Sequence, residues 1–517
     1  MRTATAVGKA ARGMWLILTI ALLVSAAGPA RLPAQDGIRE PAVAGRFYPE
    51  DGRKLRAALD AYREEARPPA GLRPAAIVAP HAGYVFSGQI AADAFHQAQS
   101  YNYDLIVILG TNHTSPGFSG VSIFDGRGYR TPLGVAPIDR TVVQRLLETG
   151  GDFSFRPDVH AREHSVEVQV PFVQYFFPEA KIVAAVVGSP DPGLCRRFAA
   201  ALAEAVKDRR VLIVASSDLS HYPAYDDARA VDREVLESVA TLDPDRIRTT
   251  IAAWMQKGIP GLSTCACGEA PILTAVIAAR LLGAEDAAVV SYANSGDTAL
   301  GESGRVVGYG AVVIGNTADG SAVDPPAAPP ADPGAELLPE DKAWLLSFAR
   351  RTIARYFETG TAPLARPESP ALHARRGAFV TLKRHGRLRG CIGHMSDDAP
   401  LCKVVGAMAL QAAFNDRRFQ PLSPAELDQI EIEVSVLTPQ RRIASPQEIV
   451  IGRDGVVLRK DGSSAVYLPQ VALEQGWNRD EMLRHLCLKA GLPADAWRQG
   501  AELSTFQAAV FHEGEEP

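Results

Sequence analysis

Two histidines stand just past apolar runs. Ile77-Val78-Ala79-Pro80 leads into His81-Ala82-Gly83-Tyr84, and Leu105-Ile106-Val107-Ile108-Leu109-Gly110 leads into Thr111-Asn112-His113. Short β-branched runs that end at Gly or Pro predict buried strands of a parallel sheet. Ligands of such sheets collect beyond the carboxyl ends of the strands. Two neutral imidazoles delivered there are able to share one metal ion. The alternative is that each histidine caps its strand and bonds a loop carbonyl. A third run, Val211-Leu212-Ile213-Val214-Ala215, opens into Ser216-Ser217-Asp218-Leu219-Ser220-His221 and adds a carboxyl and an imidazole. Ser217 or Ser220 beside them suggests a nucleophilic triad, but the Gly-x-Ser-x-Gly elbow is absent. Backbone hydrogen bonding by Asp218 is the simpler structural role. Glu163 and Glu167 lie four apart, on one side of a helix, with His164 adjacent; alone, a solvated charged face accounts for the pair. Cys265-Ala266-Cys267-Gly268 precedes an apolar helix over 272–282. The two further nearby ligands of a zinc motif are missing. A thiolate at a helix N-terminus is favoured by the dipole, which makes Cys267 a candidate soft ligand or nucleophile.

These residues need a scaffold. A chain of 517 residues, 47% hydrophobic and 22% charged, suggests two to four ordinary globular domains. A net charge of -5 gives no basic stripe for nucleic acid, and six cysteines are too few for a disulfide scaffold. Arg2, Lys9 and Arg12 precede an apolar stretch from Met14 to Ala27, shorter than the roughly 20 residues of a membrane-spanning helix. Residues 1–34 therefore read as a secretory signal, cleaved after small residues near Val24-Ser25-Ala26, or as an uncleaved anchor. Either way the protein is expected to be exported. Residues 38–315 alternate strands and helices, as in an α/β layer fold. The loop over 81–88 is expected to fold tightly over a ligand, and a helix over 89–99 follows it. Residues 316–338, rich in Pro and Ala, read as an extended linker. Residues 339–512 open with a helix over 340–359. A hairpin follows with Gly386 in its turn, and then the alternating strand Ile430-Glu431-Ile432-Glu433-Val434-Ser435-Val436. This is a mixed α+β unit.

Several phrases between 38 and 315 resemble the Memo family, in that family's order. They are Val43-Ala44-Gly45-Arg46-Phe47-Tyr48-Pro49, Pro80-His81-Ala82-Gly83-Tyr84, Gly110-Thr111-Asn112-His113, Glu163-His164-Ser165-Val166-Glu167, Ser217-Asp218-Leu219-Ser220-His221 and Cys267-Gly268. The resemblance implies a fold related to LigB-type class III extradiol dioxygenases, a central sheet flanked by helices. It implies a metal pocket holding iron or copper, with His81, His113 and Cys267 as ligands. Asp218 and His221 would act as acid/base or orienting groups. Tyr84, Asn112, Glu163, His164 and Glu167 are expected to line the pocket. Extradiol dioxygenases use two histidines and a carboxylate. Cys267 stands in the carboxylate's place, which departs from ring cleavage, admits zinc besides iron and copper, and leaves redox or oxygen-dependent chemistry open.

In the second unit, Leu388-Arg389-Gly390-Cys391-Ile392-Gly393, Asn415-Asp416-Arg417-Arg418-Phe419 and Tyr467-Leu468-Pro469-Gln470 resemble the AMMECR-type domain. On physical grounds Arg389 and Arg418 are candidate anion binders, and Cys391 is a candidate catalytic nucleophile. The alternative is that Gly390 and Gly393 permit close packing and Cys391 is a small buried hydrophobe. The two families on one chain resemble components of the AmmeMemoRadiSam system. That implies a radical S-adenosylmethionine protein as partner; this chain lacks the Cys-x3-Cys-x2-Cys run to be that protein itself. The leading expectation is a metal-dependent oxidoreductase. A non-catalytic metal carrier or peptide-binding scaffold is the rival, and a Cys391-dependent transferase or hydrolase is a third reading.

Overall fold

The computed structural model describes residues 37–317 and 336–514. The expected signal or anchor at 1–34 and most of the 316–338 linker lie outside them. Among the described residues no helix is long and apolar enough to cross a membrane.

The N-terminal domain is built on an eight-stranded sheet. In chain order its strands are β1 (Leu72–Ala79), β2 (Leu105–Thr111), β3 (Val121–Ile123), β4 (Phe153–Ser154), β5 (Lys181–Val187), β6 (Val211–Ser216), β7 (Asp286–Asn294) and β8 (Gly308–Thr317). They lie side by side in the order β7-β8-β1-β6-β2-β5-β3-β4. The four central strands, β1, β6, β2 and β5, run parallel. β8 and β7 extend the sheet antiparallel on one side, and β3 pairs antiparallel with β5 on the other. All seven residues of β2 are buried. That is why its sequence is continuously apolar rather than alternating. β6 lies between β1 and β2: Ile213 faces Ala76 on one side and Val107 on the other. The segments leaving β1, β6 and β2 therefore emerge side by side at one edge.

Two expectations change. The loop over 81–88 is shorter than its glycines suggest, because the helix Tyr84–His96 begins at once. Gly88 lies inside that helix, where an added Cβ would sit 2.6 Å from the Tyr62 ring; it serves packing, not loop flexibility. The helices Pro192–Val206, Tyr225–Ala240 and Pro244–Gln256 also surround the sheet, beyond those expected from the sequence.

The second unit has two four-stranded antiparallel sheets. The helices Pro339–Thr359 and Leu401–Phe414 supply Leu345, Ile353, Val405 and Ala409 to a core with Val380, Leu382, Ile432 and Val434 of the first sheet. In Ile430–Leu437 burial alternates at first, then becomes continuous. There Leu437 meets Val457 and Phe506 of the second sheet, which covers the other face.

Inside the N-terminal domain His160 is 1% exposed and held on both ring nitrogens. Tyr129 donates its hydroxyl to Nδ1 (2.8 Å), and Nε2–H donates to the Ser122 carbonyl (3.1 Å). Burial, then the Arg39 charge, pulls this imidazole down to about 3. The unfolded chain takes up the proton near pH 6.5 and the folded chain does not. Below that pH this group draws the equilibrium toward unfolding, by about 1.4 kcal/mol per unit until the folded value is reached. The stability of a His160→Gln variant is therefore expected to fall less steeply than wild type between pH 6.5 and 5. Denaturant midpoints across that range check it; parallel slopes would contradict it.

Candidate metal centre

His81 lies two residues beyond β1 and His113 two beyond β2; Ser217 to His221 leave β6 between them. Cys267 arrives from elsewhere, just ahead of the helix Glu269–Leu281. Two hydrogen bonds seat it beside β6: Cys267 N–H donates to the Asp218 carbonyl (3.2 Å), and Gly268 N–H donates to Ser217 Oγ (2.9 Å). Glycine is required at 268, where a Cβ would sit 2.5 Å from both the Ser216 carbonyl oxygen and Ser217 Cβ. The ligand atoms of His81, His113 and Cys267 all fall within 4.8 Å of one another, with Cys267 Sγ 3.2 Å from His81 Nε2.

The surroundings fix which ring nitrogen is free. Ser216 Oγ–H donates to the Ser165 carbonyl (2.6 Å), so the same oxygen accepts from His81 Nδ1–H (2.9 Å) and Gln169 Nε2 (2.9 Å). The lone pair of His81 is then on Nε2, beside Cys267. His113 Nδ1 meets the carboxylate of Glu163 at 2.9 Å, leaving its Nε2 free as well. Such orienting partners are what metal-ligating histidines require. Burial, then the neighbouring His113, His164 and His221, holds His81 well below its ordinary value, hence neutral. Burial works against the ionised form of Glu163, but its hydrogen bond to His113 and contacts with nearby groups bring it down to about 2. Burial, then Asp218, pushes the Cys267 thiol well up. This corrects the expectation that the helix dipole lowers it: without a cation the thiol keeps its proton, and a bound metal would displace it.

Asp218 and His221 meet Cys267 in a second group of donor atoms within 4.8 Å. Asp218 Oδ1 accepts from the backbone N–H of His81 (2.8 Å) and Ala82 (3.2 Å). It thus positions the His81 loop. Burial raises Asp218 to about 6, against those N–H groups. His221 is pinned by its backbone to Thr264 and Ser263, while its buried Nε2 has no hydrogen-bond partner. The triad reading fails, because Ser217 Oγ bonds its neighbours and Ser220 Oγ bonds Asp232 (3.0 Å).

The other expected lining residues divide. His164 stacks on His113 (centroids 4.6 Å apart) and forms, with His113 and Glu163, a third group of close donor atoms. Asn112 shapes the loop, exchanging bonds with Ser115 (2.8 and 3.0 Å). Tyr84 belongs to the core: its hydroxyl donates to the Val168 carbonyl (2.8 Å) and its ring packs on Tyr48 and Phe172. Glu163 and Glu167 form no solvated face, being 1% and 0% exposed. Glu167 is tied to Arg39, Tyr48 Oη and the N–H groups of Ala42 and Val43, away from the donors. Sequence reasoning missed Ser216 and Gln169 as orienting groups. Their only sequence signal is a polar residue at the end of an apolar strand and one between Val168 and Val170, in the turn ahead of the helix Val170–Phe176.

In the second unit both candidate anion binders already have partners within the chain. Arg389 is spent on Glu426 (2.8 and 3.1 Å) and the Gln420 and Pro421 carbonyls; Arg418 is spent on Asp416 (2.7 Å) and the Cys391 carbonyl (3.0 Å). Both stabilise the chain's own backbone. Cys391 Sγ accepts from Thr381 Oγ1 (3.2 Å), across the hairpin. Gly390 allows close packing, since a Cβ there would sit 2.2 Å from the Ala412 carbonyl oxygen.

Residues 39–313 match the Memo-like protein family, and residues 346–511 match AMMECR1. A MEMO1 family protein of Methanopyrus kandleri, MK0963, is 35% identical over 290 residues, covering 53% of this chain and 98% of that protein. A MEMO1 family protein of Aquifex aeolicus is 34% identical over 276 residues, covering 53% and 97%. Protein MK0488 of M. kandleri is 42% identical over 194 residues, covering 36% of this chain and 93% of that protein. Among solved structures, protein PH0010 of Pyrococcus horikoshii is 37% identical, covering 34% of this chain and 91% of that one at a TM-score of 0.32. The Memo-like match runs from Arg39 to Val313 and so contains the whole donor cluster. The chain belongs to the Memo family and carries an AMMECR1 domain on the same polypeptide.

Proposed function

We propose that the N-terminal domain binds one iron or copper ion through His81 Nε2, His113 Nε2 and Cys267 Sγ, and works in redox or oxygen-dependent chemistry. One observation carries the reading: three donors from three separate segments converge within 4.8 Å. The chemistry of the set fits, since two imidazoles and a thiolate suit iron, copper and zinc; Glu163 and Asp218 raise His113 against burial, so a metal would displace a proton there as well as at Cys267. A bound iron or copper ion would supply one-electron exchange with substrate or oxygen. The protein's own groups supply the rest. His221 brings a buried, unpartnered Nε2 beside Cys267 as the proton acceptor of this reading; burial, His113 and His164 hold it down to about 4, so it is neutral at pH 7 and would take a proton only from a group made acidic by the bound metal. Asp218 holds the His81 loop, and Glu163 orients His113. In this reading the protein is exported, on the strength of its first 34 residues, and shares a pathway with a radical S-adenosylmethionine protein, as the pairing of its two domains suggests.

Oxygen uptake tests the reading. Protein loaded anaerobically with Fe(II) is expected to consume oxygen faster than free Fe(II) at equal concentration. His221→Ala, which removes a proton acceptor but none of the three ligands, should slow it by about 100-fold while the metal stays bound. Uptake no faster than that of free Fe(II), with metal still bound, would contradict the redox reading and favour a metal carrier.

A further inference from the structure

The two domains meet through charges of opposite sign sorted by domain. In three ion pairs that join them, the cation comes from the AMMECR1 side and the carboxylate from the Memo side. Arg355, 5% exposed, donates to Glu65 (2.6 Å) and lies over the Tyr62 ring, 4.9 Å from its centroid. Arg366 forms a two-pronged pair with Asp93 and also donates to the Glu65 carbonyl (3.2 Å). Arg375 reaches both carboxylate oxygens of Asp226 (2.7 and 2.8 Å). Leu364 packs against the N-terminal core between them.

Asp93 is the informative member. It is 0% exposed and sits in the Memo-domain helix Tyr84–His96, yet the guanidinium facing it belongs to the other domain. Its own domain gives it the Arg67 N–H (3.0 Å), Ser291 Oγ (2.5 Å) and Gln89 Nε2 (3.4 Å), and Arg366 is the cation that pairs with it directly, which a buried carboxylate calls for. Arg366 offers the planar fork that suits two-pronged carboxylate recognition. Asp226 lies in the first turn of the helix Tyr225–Ala240, five residues after His221 in sequence.

We infer that Glu65, Asp93 and Asp226 form an acidic docking face on the Memo domain that recognises the AMMECR1 domain through Arg355, Arg366 and Arg375, so that the two associate as partner proteins would even without a covalent connection. The fusion then raises the local concentration of a partner that already fits.

The test uses the full chain with a protease site inserted between residues 319 and 334, purified intact and then cut. The cut halves are expected to co-elute in gel filtration at micromolar concentration and 0.15 M salt. Arg366→Ala should weaken their association by about 30- to 1000-fold, and Arg366→Lys should restore part of it. Arg355→Met, which keeps the packing on Tyr62 and removes the charge, should weaken it in the same direction. Arg375→Ala, at an exposed pair, should change it by no more than about fivefold. Separation of the wild-type halves would overturn the proposal. So would unchanged affinity in both Arg366→Ala and Arg355→Met.

Discussion

Cys267→Ser is expected to lose stoichiometric binding of iron or copper while keeping the fold. Replacing groups that merely orient a ligand lowers metal affinity by about 10- to 100-fold, and loss of a direct ligand should exceed that range. The argument is chemical. Serine keeps nearly the same volume but offers a hydroxyl that stays protonated at neutral pH, in place of a soft sulfur. The backbone should tolerate the change, because Cys267 N–H and Gly268 N–H make the anchoring bonds. His81→Ala should behave in the same way, since Nε2 lies 3.2 Å from the sulfur. Metal titration beside circular dichroism decides the matter. Affinity within threefold of wild type would remove Cys267 from the ligand set.

Arg39→Ala should destabilise the fold by about 3–5 kcal/mol, a large share of what holds a domain together. Arg39 is 5% exposed and Glu167 is fully buried. The guanidinium also donates to the His160 carbonyl (3.2 Å) and the Glu163 carbonyl (2.7 Å), so it joins the short strand Ile38–Arg39, outside the eight-stranded sheet, to the segment that carries Glu163. Truncation strands a buried carboxylate whose remaining donors are Tyr48 Oη and two backbone N–H groups. Arg156, paired with Asp158 at the surface, is the control, and its removal should leave the unfolding midpoint nearly unchanged. Denaturant midpoints for both variants provide the comparison. Equal, small shifts would show that Glu167 finds water or other partners.

How far the fold and the site are legible in the sequence follows from the range of each signal. β2 and β5 read as buried strands because continuous apolar runs need no partner to be recognised, and Ile430–Leu437 declares itself by alternation. The second domain's helix at Pro339–Thr359 and the turn at Gly386 are likewise local. The two histidines are legible as residues past strand ends, and Cys267 as one ahead of a helix. Their meeting depends on strand order, and nothing local says that β6 lies between β1 and β2. Glu163 and Glu167 mark that limit. Identical spacing makes them look alike, yet one orients a candidate ligand and the other closes an ion pair 128 residues away in sequence. Arg389 and Arg418 look like anion binders because their carboxylate partners, Glu426 and Asp416, are near neighbours only once the chain is folded or turned. The dipole argument for Cys267 fails because burial, invisible in one sequence, outweighs it.

X-ray absorption of the anaerobically loaded wild-type protein tests the central claim most directly. The account predicts one metal per chain with one sulfur and two imidazole nitrogens in its shell, the sulfur disappearing in Cys267→Ser. A shell of oxygen alone, or one whose sulfur survives that substitution, would contradict it.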